Sequence, residues 1–369
     1  MTLTNYWWLL IWLFIGGLFL NSLFSKRDEI VLGKREKRWD IIPAVILVLP
    51  YIIWAAYRSD NWGDTASYRS MFAEAPVTMS GWDSYLDNVT KDKGFSVLML
   101  LIKLVAKNSD VIFFLILAII QMICIIMIYR KYSDNYWMSI FLFIASTDYM
   151  SWMHNGIRQF TAVAMIFAAT TLILKKKYVP LLLVIILAST IHGSALLMIP
   201  IVFIIQGESW NRRTLLFILA SVAALAFVGQ FTDILDTLLA DTQYTNVVSD
   251  WQSWSDDGTN PIRVLVYSVP TILSFIGLRK IREENNSIIN LAANASIVST
   301  AIYIVSMGTS GIFIGRLPIY VSLYATGILL PWEIDHMFNF ESAKLVKVAV
   351  VGFYIVFFYY QMHLTWGIL

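Results

Sequence analysis

One cysteine, four histidines and few charges set the first limits on this 369-residue chain. Cys124 has no partner for an intrachain disulfide and sits inside the apolar run 111–129, where it reads as packing. Four scattered histidines and one cysteine give no zinc-ligand spacing, so no metal site is expected. Charged residues make up 14% of the chain, against about 25% in soluble domains. The formal net charge is +2, which gives a nucleic-acid partner no support. A phosphate-cradling glycine loop, a dinucleotide fingerprint and a serine-hydrolase elbow are also missing, and no cofactor is expected.

Apolar residues are abundant: 58% of the chain is hydrophobic and the mean hydropathy is strongly positive. A hydrocarbon core of about 30 Å needs roughly 20 apolar residues per crossing. The runs near 5–24, 41–57, 111–129, 135–150, 159–174, 178–191, 193–205, 214–230, 263–278, 287–306, 317–331 and 346–362 are the candidates. They are continuous rather than alternating, which excludes a barrel. The expectation is an all-α, polytopic transmembrane helical bundle of about 12 crossings, forming a single integral membrane domain over 1–369. The first run has no preceding basic region and no small-residue cleavage site, so it reads as a retained helix.

Lysine and arginine in short loops mark the cytoplasmic side. Lys26, Arg27, Lys34, Arg35, Lys37 and Arg38 crowd the first connection, and later clusters at 130–131, 175–177, 212–213, 279–282 and 344–347 fall on alternate connections. These agree with one topology if Gly94–Lys107 does not cross. At about 1.5 Å per residue that segment reaches only about 21 Å, as a re-entrant or interfacial helix does. Segments 58–93 and 231–262 are then extracytoplasmic loops, both termini lie outside, and the chain is a multi-pass protein of the cytoplasmic membrane.

Several polar residues on that outer side need a reason to be there. Asp60 and Asp64 are four apart and share a face if their stretch is helical; alternatively Asp64 or Thr65 caps a short helix. Trp62, Tyr68 and Phe72 either anchor the loop at the headgroups or line a sugar site. Arg158 opens an apolar run, where insertion costs up to about 3 kcal/mol and implies a fixed anionic partner. Its planar fork suits a diphosphate, with snorkelling to headgroups as the rival reading. His154 lies four residues before it, separated by Asn155-Gly156. His192 interrupts the apolar stretch 178–205, leaving arms of about 20 Å, so the turn is recessed and its imidazole is a candidate proton acceptor. Arg316, flanked by Gly315 and followed by Pro318 and Tyr320, opens another run. In 231–262, Ile234, Leu235, Leu238 and Leu239 fall on one helical face, so part of the loop lies on the bilayer, and Tyr244, Trp251 and Trp254 read as interfacial anchors, with stacking on sugars as the alternative.

At these positions the chain resembles the EpsG family of Wzy-type exopolysaccharide polymerases. Gly63-Asp64-Thr65 with Tyr68, Asn155-Gly-Ile-Arg158-Gln159 and Ala188-Ser-Thr-Ile-His192-Gly-Ser194 carry the resemblance, with Gly315-Arg316 and Tyr320 as a weaker match. It implies a GT-C-like fold and a metal-independent membrane glycosyltransferase that joins undecaprenyl-diphosphate-linked oligosaccharide repeat units on the extracytoplasmic side of a bacterial cell membrane. It also implies a site containing Asp64, Arg158, Gln159, His192 and Arg316, and leaves open whether His192 or Asp64 is the base. Asp60, Tyr68, His154 and Tyr320 join these as substrate-binding candidates.

The expected chemistry is displacement of the lipid diphosphate from an anomeric carbon by a sugar hydroxyl. The expected partners are the lipid-linked glycan donor and acceptor, membrane lipid, and flippase and chain-length regulator proteins. A glycan ligase would use the same site on a different acceptor. A lipid-linked oligosaccharide flippase would spread its charged residues over both faces, whereas these candidates fall on one.

Overall fold

The structure is a computed structural model and describes residues 3–239, 258–311 and 313–368. The described chain is mostly helical and divides into two compact units, Met1–Leu196 with Phe338–Leu369, and Leu197–Met337. The stretch from Asp241 to Asp257, with Tyr244, Trp251 and Trp254, lies outside the described residues.

The first unit begins with α1 (Trp7–Leu23), a hairpin of β1 (Arg27–Val31) and β2 (Lys34–Arg38), and α2 (Ile41–Ala56). The hairpin departs from the all-α expectation. Leu32 and Gly33 both take positive φ, 51° and 83°, the pattern of a two-residue turn that matches strand twist. The Glu29–Arg130 and Arg38–Asp134 ion pairs tie the hairpin to the end of a later helix. Its charged sequence hides the apolar alternation from which strands are usually read.

Next come α3 (Thr65–Glu74), α4 (Trp82–Asp87), α5 (Lys93–Ala106), α6 (Asp110–Tyr132), α7 (Tyr136–Ala145), α8 (Asp148–His154), α9 (Ile157–Ala168), α10 (Thr170–Leu174) and α11 (Tyr178–Ile191). In α6, Ser109 accepts a capping bond from the Ile112 N–H; Asp110 lies in the first turn and Arg130 and Lys131 in the last. Charges placed in that order complement the helix dipole. Two spans expected to be continuous are broken, 135–150 between Ala145 and Asp148 and 159–174 between Ala168 and Thr170.

Residues 58–75 pack against the rest of the first unit, while 76–93 stay exposed or half-buried. Arg58 is buried and donates from Nε to the Ala55 carbonyl (2.6 Å) and from Nη1 to those of Met153 (3.0 Å) and His154 (3.1 Å). Burial depresses its pKa to about 9. Arg69 pairs with Asp60 and with Asp110 (2.7 Å) and donates to the Arg58 carbonyl. Phe72 stacks on Phe113 at 4.5 Å. Trp62, Tyr68 and Phe72 are all buried, which removes both the headgroup-anchor and the open sugar-platform readings for Trp62 and Phe72.

The second unit comprises α12 (Met198–Ile205), α13 (Arg212–Ala226), α14 (Val228–Leu239), α15 (Pro261–Ile276), α16 (Leu278–Glu284), α17 (Ser287–Met307), α18 (Ile319–Tyr324) and α19 (Leu330–His336). Its centre is α17, almost wholly buried and rich in alanine and serine, residues that allow close helix approach. Asn294 on α17 accepts from the Trp210 N–H (3.0 Å) and donates to the Ile205 and Glu208 carbonyls (3.1 and 3.0 Å), fixing the turn that leads into α13. The chain then returns to the first unit as α20 (Phe340–Tyr359).

By length and composition, Asp110–Tyr132, Ser287–Met307, Ile314–His336 and Phe340–Thr365 can cross a membrane. The α15–α16 pair, bent by 68°, adds a fifth. Shorter apolar helices occupy Trp7–Leu23, Ile41–Ala56, Tyr136–Ala145, Ile157–Ala168, Tyr178–Ile191 and Gly193–Ile205. Among the described residues, the expected dozen crossings therefore appear as four or five full-length spans with a set of shorter helices.

Candidate functional site

Within the first unit, four stretches far apart in sequence meet around Arg158. The first is Gly63–Tyr68. Residues 58–64 are turn and irregular chain, and the helix begins only at Thr65. Asp60 and Asp64 consequently do not share a helical face, and Asp60 is engaged by Arg69. Asp64 occupies the N-cap position of α3, yet its carboxylate makes no capping hydrogen bond. Its backbone N–H instead donates to Asn155 Oδ1 at 2.7 Å. The amide of Asn155 fills the space beside Gly63, where an added Cβ would lie 2.2 Å from Oδ1. Only a residue without a side chain permits this approach.

The second stretch is Asn155–Gln159. The helix break at Asn155-Gly156 restarts the chain as α9, so Arg158 falls in a first helical turn. Its Nη1 donates to Asp92 Oδ2 at 2.9 Å; the arginine side chain is 28% exposed and the aspartate 5%. Arg158 also hydrogen-bonds the Tyr68 hydroxyl. The guanidinium thus has an anionic partner within the protein. Gln159, the next residue, is buried.

Asp92 and Gly94 form the third stretch. Asp92 sits before α5 with φ at 54°, a left-handed conformation that aspartate tolerates better than most residues. Its carboxylate accepts the Gly193 N–H as well as Arg158. Burial raises its pKa, while Arg158, the Gly193 N–H and Lys91 act in the opposite direction. Burial likewise raises the Tyr68 hydroxyl, against the pull of Arg158. Gly94 lets the start of α5 touch the end of α11: an added Cβ would meet Thr190 Oγ1 at 2.1 Å and its backbone carbon at 2.8 Å.

The fourth stretch is the turn after α11. His192 is half-buried in extended conformation and closes the helix. Its Nδ1 lies 2.7 Å from Ser194 Oγ. Gly193, which donates to Asp92, is the next residue, so a single carboxylate joins the arginine on α9 to the histidine turn.

His154 is placed differently from Arg158. It is fully buried, its Nδ1 is 2.7 Å from the Met150 carbonyl, and Trp62, Tyr6 and Tyr51 surround its ring. Its Nε2 has no hydrogen-bond partner among the described residues. Burial, then the nearby Arg58, holds its pKa well below the usual histidine value. The break at Asn155-Gly156 separates its face from that of Arg158. Arg316 and Tyr320 belong to the second unit. Arg316 ends a short 3-10 turn, Ile314–Arg316, and is half-buried, while Tyr320 is buried at the start of α18. Gly315 fits tightly there, since a Cβ would come within 2.4 Å of Thr259 Oγ1.

Asp92 is the residue that sequence reasoning passed over. In Lys91-Asp92-Lys93 it reads as a solvated loop charge, and its partner lies 66 residues away.

Long apolar helices and a buried polar cluster at their broken ends define a polytopic helical membrane protein. The EpsG family model matches residues 41–366. The chain therefore belongs to the EpsG family, and membership fits a membrane protein of polysaccharide-polymerase type. No curated protein and no solved structure matches it.

Proposed function

We propose that this protein is a membrane glycosyltransferase that polymerises glycan repeat units carried on undecaprenyl diphosphate, at the extracytoplasmic face of a bacterial cell membrane. The observation carrying this reading is the meeting of Tyr68, Arg158, Asp92 and the His192 turn in one unit of an EpsG-family chain. A lipid diphosphate is already a good leaving group. The protein's tasks are then to stabilise charge on the departing diphosphate and to accept a proton from the attacking hydroxyl.

Arg158 performs the first task. Preorganised cations aimed at developing charge contribute several kcal/mol, about 3 for a single donor, and the partly accessible guanidinium is held by groups too buried to wander. His192 or Asp64 performs the second, a role typically worth roughly 10²–10⁴-fold. The Ser194 hydroxyl lies 2.7 Å from Nδ1 of His192 and holds the ring in the turn. The Asp64 carboxylate is exposed, and its loop is clamped by Asn155. Tyr68 and Gln159 support Arg158, and Arg316 and Tyr320 are the substrate-binding candidates of the second unit. His154 and Asp60 serve the packing of residues 58–75.

The test is reconstitution. Purified full-length protein in lipid nanodiscs is given single lipid-linked repeats extracted from cells lacking this protein. Oligomers of two or more repeats, still on lipid, are the expected product. Chains moved only to a different acceptor would mark a ligase. Translocation across vesicles without a new glycosidic bond would mark a flippase.

A further inference from the structure

We propose that Asp92 is a positioning residue for transfer, fixing the aim of Arg158 and locking it to the turn that carries His192. The inference rests on the polymerase reading above and adds to it a residue that never touches the reacting atoms.

The physical problem is one of reach. An arginine side chain has many rotamers, and a guanidinium that must meet a diphosphate in transit loses effectiveness if it wanders. Asp92 removes that freedom. Its carboxylate is 5% exposed and accepts Arg158 Nη1 at 2.9 Å, so solvent screens the pair little. The same carboxylate accepts the Gly193 N–H, the amide immediately after His192. Two groups, one on α9 and one in the turn after α11, are thereby referred to one point.

The surroundings of Asp92 are fixed in turn. Its φ of 54° places it at the start of α5, and Gly94 seats that helix against Thr190 at the end of α11. Tyr68 approaches Arg158 from α3, and Lys91 adds a positive charge beside the carboxylate. Each element contributing to the cluster is anchored independently of Asp92, so the aspartate's own contribution is to hold direction and spacing between them.

The test uses the reconstituted full-length protein with the extracted single lipid-linked repeats. Asp92→Asn keeps the side chain's shape and removes its charge. The expected result is a fall in kcat on the order of tenfold to hundredfold, the size associated with misplacement of about 1 Å. KM should stay within about twofold and the melting temperature close to wild type, outcomes that a purely structural role would not give. Introduced into Arg158→Ala, Asp92→Asn should add no further loss to the residual turnover. Wild-type kcat in Asp92→Asn, or an equal loss in both backgrounds, would overturn the proposal. Where a variant fails to accumulate or turns over too slowly to follow, Asp92→Glu serves instead. It keeps the charge and lengthens the side chain, so kcat should fall while KM and melting temperature stay close to wild type; wild-type kcat in Asp92→Glu overturns the proposal. Full activity of Arg158→Ala would instead reject the polymerase site itself, a result distinguishable from failure of the Asp92 role.

Discussion

Replacing Gly94 with alanine perturbs the spacing of the site without touching any of its polar groups. The new methyl would lie 2.8 Å from the Thr190 backbone carbon and 2.1 Å from its Oγ1, where ordinary contact begins at 3.4 Å. A threonine hydroxyl can rotate away, but the backbone carbon cannot, so α5 and the end of α11 must separate by roughly half an ångström or more. Overpacking of this kind costs about 1–3 kcal/mol. The separation opens the contact between Asp92 and the Gly193 N–H, and with it the spacing between Arg158 and His192. Since misplacement of about 1 Å can cost on the order of 10²-fold in rate, the expected turnover is down at least tenfold per folded molecule. The assay compares turnover of lipid-linked repeats and melting temperature with those of Gly352→Ala, whose added Cβ meets nothing within 4 Å and which should behave as wild type. Gly94→Ala with wild-type turnover would refute the reasoning. So would a lower melting temperature with unchanged activity.

Two further outcomes follow from other parts of the molecule. His154 is neutral in its buried site, with its pKa below the ordinary 6.5, so below pH 6.5 the unfolded chain binds a proton that the folded chain refuses; stability present above that pH is lost as pH falls, at up to about 1.4 kcal/mol per pH unit, and melting curves of His154→Asn should lack this dependence. Arg316→Lys keeps the charge and loses the planar fork, and the same turnover assay should register a loss of about tenfold; unchanged turnover would remove Arg316 from the substrate-binding set.

Much of the class was legible because a bilayer imposes length and polarity rules that a sequence displays directly. The break at His192 and the arginine at the start of α9 were visible as violations of those rules. What was hidden depended on long-range pairing. Asp92 looked like a solvated charge between two lysines because its partner arrives from α9. Trp62 and Phe72 read equally as headgroup anchors or as lining of a sugar site, because nothing local reveals that 58–75 pack over α6. His154 and Arg158 are four apart, a spacing that shares a face only in a continuous helix, and the chain breaks between α8 and α9. The hairpin at 27–38 escaped notice because a run of charges carries no apolar period. Arg69 was overlooked altogether, although it gathers Asp60, Asp110 and the Arg58 carbonyl.

The central claim is that Arg158 and His192 serve a single transfer reaction on a lipid diphosphate. Its most direct measurement is the glycan profile of cells whose only copy of this protein is Arg158→Ala or His192→Ala, each shown to accumulate in the membrane at wild-type level. The account predicts that both variants leave single lipid-linked repeats unpolymerised. A normal ladder of chain lengths from either variant would contradict it.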